Sequence, residues 1–389
     1  MEQRISTQRS IMLDFAASTG LSDPSREPRR YLWTDAFAVC NFLELYTQTE
    51  DRSFLQLALQ LVDQVHQVLG QHREDSKHSG WLSGLDEAHA REHPTQGGLR
   101  IGKRLDERPP GETIDQSVEW DRDGQYFHYL TKWMHALNRV SGTTGNPTYN
   151  RWALELAKVA HSKFTYSGTR REAPRMYWKM SIDLSRPLID TMGQHDPLDG
   201  LITYWQLAGT ANQVSDTSSV LSLDTEIAGL LAICAGRSWA TEDALGIGGL
   251  LGDAYKLVQL MAVHQVHEAA RLEALLGEIE NSLRVFVRHD SLHFRTEYRL
   301  AFRELGLAIG LQAISKMQAR IGQQPECFTN ASQLLAILAR LTRYHALHQL
   351  IENIWLEPAH QAMQNWLEHT DINRVMLATT LAPDGYLQL

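Results

Sequence analysis

Apolar residues recur along this chain at steps of three and four, the spacing of a helix with one buried face. Phe54, Leu57, Ala58, Leu61, Val62, Val65, Val68 and Leu69 make one such face. Tyr126, Phe127, Leu130, Trp133, Met134 and Leu137 make another over about residues 124–140. The turn sequence Gly142-Thr143-Thr144-Gly145-Asn146-Pro147 then leads into a helix to about residue 164, with Pro147 suited to its first turn. The same reading pairs 197–208 with 223–235, 241–261 with 268–287, and 298–317 with 331–343. Residues 345–369 add one or two helices broken at Pro358, which brings the count to about six helical hairpins.

A short repeat supports the pairing. Ala58-Leu59-Gln60-Leu61 is followed by His66, and Ala153-Leu154-Glu155-Leu156 by His161, with eight residues from Ala to His in both. Each lies on the second helix of its pair. An acidic residue beside a small one marks the helix starts: Asp35-Ala36, Asp123-Gly124 and Asp199-Gly200, then Asp243-Ala244 and, more weakly, Glu304-Leu305-Gly306. In a ring of equivalent helices these acidic ends would converge at one mouth.

Two long interruptions, residues 70–119 and 165–194, carry Gly80, Gly84, Gly97-Gly98, Pro109-Pro110, Gly168 and Pro187. Loops of this length in a compact domain are functional or disordered. Their content of Trp81, Leu99, Ile101, Tyr177, Trp178 and Ile182 is too apolar for disorder. Alternation predicts short strands over 98–105 and 176–184. Both loops join one helix pair to the next, so they are expected on the face that holds the acidic helix starts.

The stretches Tyr31-Leu32-Trp33-Thr34-Asp35, Glu119-Trp120-Asp121-Arg122-Asp123-Gly124-Gln125 and Gln194-His195-Asp196-Pro197-Leu198-Asp199-Gly200, set on this hairpin pattern, resemble the six-hairpin superfamily of glycosidases and sugar epimerases. The likeness covers about residue 30 to the end. It implies an all-α fold, an (α/α)6 toroid with short β-hairpins in its long loops, as a single domain over 1–389 with 1–29 as an N-terminal extension. It also implies a funnel lined by acidic and aromatic side chains.

Composition narrows the functions. Hydrophobic content of 43% and charged content of 21% are those of a folded globule. No apolar run reaches the length of a spanning helix, and residues 1–9 lack a signal-peptide core, so the expected setting is cytoplasmic without membrane contact. A net charge of −9 with only the short basic clusters 26–30 and Arg170-Arg171 argues against nucleic acid. The three cysteines have no paired spacing, and His264/His267 and His345/His348 have no third ligand nearby, so no metal and no cofactor is expected. Gly246-Ile247-Gly248-Gly249 lacks the context of a phosphate loop and suits close helix packing instead.

Glycoside hydrolysis needs two carboxyl groups, one to protonate the leaving oxygen and one to activate water or attack the sugar. Glu119, Asp121 and Asp123 form one cluster, and Asp196 and Asp199, three residues apart, form another; one partner is expected from each. His195 is a further acid/base candidate. Trp33, Asp35, Trp81, Trp120, Gln125, His128, Tyr177, Trp178 and Gln194 are candidates for holding a small or oligomeric sugar. Arg100, Lys103 and Arg104 are candidates for an anionic substituent. The competing view is that an Asp at a helix start simply caps the helix. Function is thus expected as a glycoside hydrolase, with a sugar 2-epimerase, isomerase or lyase using His195 or His128 as base, or a non-catalytic helical module, as alternatives.

Overall fold

A computed structural model of the chain describes residues 2–167, 174–213 and 221–389, with Gln116 described by its backbone alone. Gly168 and the Arg170-Arg171 cluster lie outside the described residues. The chain divides into two compact units, one of residues 16–46 and 51–235, the other of 1–15, 47–50 and 236–389. Both are predominantly helical, as the periodicity requires.

Helix α1 (Glu2–Ser18) belongs to the second unit through Phe15, and buries Gln8, Met12, Phe15 and Ala16 along one side. The expected extension is therefore helical over Glu2–Ser18, with its buried apolar residues in the second half. In the first unit follow α2 (Leu32–Thr49, within this unit to Tyr46), α3 (Arg52–Leu69), α4 (Glu87–Glu92), α5 (Gln116–Glu119), β1 (Gln125–Tyr126), α6 (Phe127–Thr144) and α7 (Pro147–Phe164). Strands β2 (Thr165–Tyr166), β3 (Arg175–Met176), β4 (Lys179–Met180) and β5 (Pro187–Ile189) lead to α8 (Asp196–Ala211) and α9 (Asp224–Cys234).

The apolar face predicted for α3 buries Phe54, Ala58, Leu61, Val62, Val65 and Leu69, with Asp51 capping the helix at Ser53 N (3.0 Å). Every residue of α2 from Leu32 to Leu45 is buried, the polar Thr34, Asp35, Asn41 and Glu44 among them. Pro147 sits in the first turn of α7 behind an Asn146 cap, and left-handed Gly145 closes α6 (φ 70°). The two repeated histidines both pack inward. His66 accepts the Trp133 indole N–H at 3.1 Å, and a Cβ on Gly229 of α9 would stand 2.7 Å from the His161 ring.

The long loops meet at the start of α6. Strands β1, β4 and β5 form one small antiparallel sheet in the order β1-β4-β5, while β2 pairs with β3. The strand expected over 176–184 is therefore cut in two, with Tyr177 N donating to Phe164 O and a register shift between Lys179 and Met180. The strand expected over 98–105 is absent. Gly98 (φ 73°) and Gly102 (φ 92°) turn the backbone there, and only an isolated bridge joins Leu105 to Arg122. Gly124 (φ 145°) passes so close to β4 that a Cβ would lie 2.7 Å from Met180 O.

The second unit holds α10 (Ala244–His264), α11 (Ala269–Arg288), α12 (Ala301–Gln323), α13 (Ala331–Leu341), α14 (Leu347–Leu356), α15 (Pro358–Gln361), α16 (Gln364–Leu367), α17 (Thr370–Leu381) and α18 (Asp384–Leu387). Helices α10 and α12 touch backbone to backbone. A Cβ on Gly248 would overlap Gly306 O, and one on Gly310 would stand 2.7 Å from Gly248 Cα. Close packing is thus what Gly248 supplies. Pro358 opens a new short helix where the break was expected. Among the described residues, no helix is long and apolar enough to cross a membrane.

Candidate functional site

Several segments around the start of α6 in the first unit deliver aromatic side chains. Tyr126 closes β1, and His128 and Tyr129 occupy the first turn of α6. Trp120 follows α5, Trp178 lies between β3 and β4, and Tyr31 precedes α2. Their rings form a connected set. Trp120 meets Trp178 edge to face (5.4 Å between centroids), and Tyr126 meets Trp178 (5.3 Å), His128 (5.3 Å) and Tyr129 (5.2 Å). His128 stacks parallel to Trp178 at 6.4 Å and stands edge-on to Tyr129 at 4.8 Å. Tyr31 joins Tyr129 through a hydroxyl pair at 2.7 Å. Trp120 is 56% exposed while Tyr126 is buried, so the set runs from the surface inward.

Asp196, first residue of α8, faces this set. Its Oδ1 lies 3.6 Å from His128 Nδ1, too far for a hydrogen bond. Asp196 is 6% exposed, and both its Oδ2 and His128 Nδ1 are buried without a hydrogen-bond partner among the described residues. Buried polar atoms are almost always bonded. Gly193 makes room for this arrangement, since a Cβ there would stand 2.5 Å from the Asp196 carboxylate. Burial raises the pKa of Tyr31, Tyr126 and Tyr129 above the ordinary phenol value, so all three stay neutral donors.

The other expected carboxylates are committed elsewhere. Glu119 pairs with Lys179 (2.9 Å) and Arg108 (3.2 Å). Burial lowers the Lys179 pKa, while Glu119 opposes that shift. Asp123 accepts from Arg100 (3.0 Å), Arg73 (3.4 Å) and the backbone N–H groups of Gly102 and Gly124 (3.0 Å each), which fixes the turn into β1. Asp199 is held by Lys132 (2.5 Å) and Thr131. Asp35 accepts from Tyr31 N (2.9 Å) and lies 3.5 Å from Arg30. Cations and backbone N–H groups thus meet the oxygens of Glu119, Asp123 and Asp35, and Lys132 and Thr131 those of Asp199. Asp121 differs. It is exposed, and no described residue donates to its carboxylate or pairs with it.

The expected sugar platforms divide in the same way. Trp33 is buried against Phe37 (4.4 Å), and Trp81 is buried with its indole N–H donating to Glu87 (2.7 Å). Gln125 is buried, donates to Gly97 O and Ile182 O and accepts from Leu99 N, so it clamps the loop over Gly98. All three are buried. Tyr177 stacks on Tyr166 (4.3 Å) beside the β2–β3 pair, and exposed Gln194 and half-buried His195 precede α8, with His195 at its cap position. Of the expected residues the structure groups Trp120, His128, Trp178 and Asp196. Sequence reasoning left out Tyr31, Tyr126 and Tyr129, whose i and i+3 placement marked Tyr126 and Tyr129 as one helical face. No group of three His, Cys, Asp or Glu able to hold a metal occurs among the described residues. Neither a family model, a curated protein nor a solved structure matches this chain.

Proposed function

We propose that the aromatic set binds a sugar and that His128 with Asp196 moves a proton on it, as in a sugar epimerase, isomerase or lyase. The observation that carries this reading is the adjacency of His128 and Asp196, with His128 Nδ1 and Asp196 Oδ2 both buried and without a hydrogen-bond partner among the described residues. An open-chain sugar has an acidic C–H beside its carbonyl. A neutral imidazole can accept that proton, leaving an enediolate, and return it on the same face to the neighbouring carbon; inversion at the first carbon takes its proton from water on the opposite face. With Nδ1 turned toward Asp196, Nε2 is the nitrogen left for substrate, and the carboxylate favours the imidazolium formed in the step. Trp120 and Trp178 offer faces for the ring. The hairpin order within both units supports reading the six hairpins as an (α/α)6 toroid. The three free cysteines go with a reducing, cytoplasmic setting.

The test is NMR of aldoses and ketoses incubated with the protein in deuterated water. Deuterium should enter at the carbon beside the carbonyl, at a rate that falls roughly 100-fold or more in His128→Asn and Asp196→Asn. Hydrolysis is the second reading, favoured by the unpartnered Asp121 beside Trp120. Release of reducing ends without deuterium incorporation, abolished in Asp121→Asn and Asp196→Asn, would put it first. Sugar binding with neither reaction would leave a binding module.

A further inference from the structure

Around the start of α6, buried and half-buried cations are neutralised one by one. Lys179 and Arg108 meet Glu119, and Arg73 and Arg100 meet Asp123. Lys103 breaks this pattern. It is half-buried, and among the described residues its ammonium meets no hydrogen-bond acceptor and no carboxylate within ion-pairing distance. What it meets is the Tyr31 ring, with Nζ 5.2 Å from the centroid. Tyr31 is bonded to Tyr129, and Tyr129 stands edge-on to His128, so the ammonium belongs to the same wall as the proposed base.

The contact is incomplete for a cation. An ammonium has three N–H donors, and an aromatic face accepts them only weakly. Burial acts against the charged form and lowers the Lys103 pKa, while Asp121 and Asp123 act the other way from beyond contact distance. A half-buried cation of this kind, with no carboxylate paired to it, gains from an anionic partner that replaces its remaining water. The partner must also be drawn in locally, because a protein of net charge −9 does not attract anions at long range.

We infer that Lys103 receives an anionic substituent, a carboxylate or a phosphate, of the sugar bound against Tyr31, Tyr129 and His128. This deepens the sugar-site reading and rests on it. The substrate class becomes an acidic sugar, a uronate or a sugar phosphate, and not a neutral one. An incoming oxyanion forms charge-assisted hydrogen bonds to Nζ, roughly twice as strong as neutral ones. It fixes the sugar at one end while His128 acts at the other. A lysine serves either anion as a point charge, without the fork that would favour one geometry.

The experiment is calorimetric titration of the full chain with glucose, glucuronate, glucose 6-phosphate and inorganic phosphate. It is run on the wild type and on Lys103→Gln and Lys103→Arg, each checked for an unchanged melting transition. At least one acidic sugar should bind at least tenfold more tightly than glucose. Lys103→Gln should erase that preference and leave the weak glucose affinity intact. Lys103→Arg should restore most of it, which a merely structural lysine would not do. The glucuronate and phosphate arms tell the two anions apart, and inorganic phosphate binding alone would show anion capture without a sugar site. Equal binding of glucose and the acidic sugars, or a preference untouched by Lys103→Gln, would overturn the inference while leaving the sugar site standing. Binding of no sugar at all would remove both.

Discussion

Helix starts in the two units carry the same acidic texture and use it differently. In the second unit Glu304, in the first turn of α12, receives both arms of the Arg299 guanidinium (2.7 and 2.6 Å) and the Trp355 indole N–H (2.9 Å). Asp243 caps α10 at Gly246 N (2.9 Å) and pairs with Arg303. Both are saturated. In the first unit Asp196 is as buried as Glu304, yet its Oδ2 has no partner and its nearest cationic candidate is the imidazole of His128. An acid at a helix start is therefore a cap or a pair wherever a donor has been brought to it. It becomes a candidate for chemistry where the fold withholds one.

The largest effect tests the saturated side. Glu304→Gln leaves the Arg299 guanidinium buried without its counter-charge, a change that costs about 3–5 kcal/mol. Urea unfolding of the variant should lose stability on that scale. A loss below about 1 kcal/mol would show that the pair holds little together, and the contrast with Asp196 would lose its firmer half.

Histidines repeat the contrast inside the first unit. His66 is buried and accepts from Trp133, and burial pushes its pKa down to about 3. The unfolded chain, with an ordinary value near 6.5, takes up this proton first. Stability is therefore full above about pH 6.5 and falls as pH drops toward about 3, by roughly 1.4 kcal/mol per unit. Denaturant midpoints between pH 7 and 5 should report a loss of about 2 kcal/mol from this residue, and His66→Gln should flatten that part of the profile. An unchanged slope would mean that His66 is not the buried neutral group described. The cap is a smaller matter. Asp243→Ala should cost about 1 kcal/mol, chiefly through the lost bond to Gly246 N, because the Arg303 pair is exposed.

The helix pairs were legible because each needs only its own periodicity: α3, α6, α7 and α10 to α13 announce their buried faces. The strand over 98–105 was misjudged because alternation says nothing of Gly98 and Gly102, whose positive φ values bend the chain under Gln125. At the site, the residue types were readable and the partners were not. Nothing local to Glu119 reveals Lys179, 60 positions on, and nothing near Asp199 reveals Lys132. The same blindness hid the pairing of His128 with Asp196, which depends on α6 and α8 starting side by side. Lys103 stands beside Arg100 and Arg104 in the sequence as an equal candidate for an anion, and only the pairing of Arg100 and Arg73 with Asp123 in the fold sets it apart.

The smallest change in stability should come from the residue with the largest proposed role. Asp196→Asn keeps the shape of the side chain and breaks no hydrogen bond made by Oδ2. It gives up a favourable charge at the first turn of α8, worth about 0.3–1 kcal/mol, and relieves the burial of a carboxylate, which acts in the opposite direction. The net effect on unfolding should stay within about 1 kcal/mol of zero. Asp199→Asn, three residues along the same helix, removes the counter-charge of Lys132 and one of the two acceptor oxygens that Lys132 and Thr131 share, and should cost clearly more. The two variants thus separate by unfolding alone, before any substrate is known. If Asp196→Asn proves the more damaging, Asp196 is a structural group like its neighbour, and the contrast with Glu304 at the start of α12 falls.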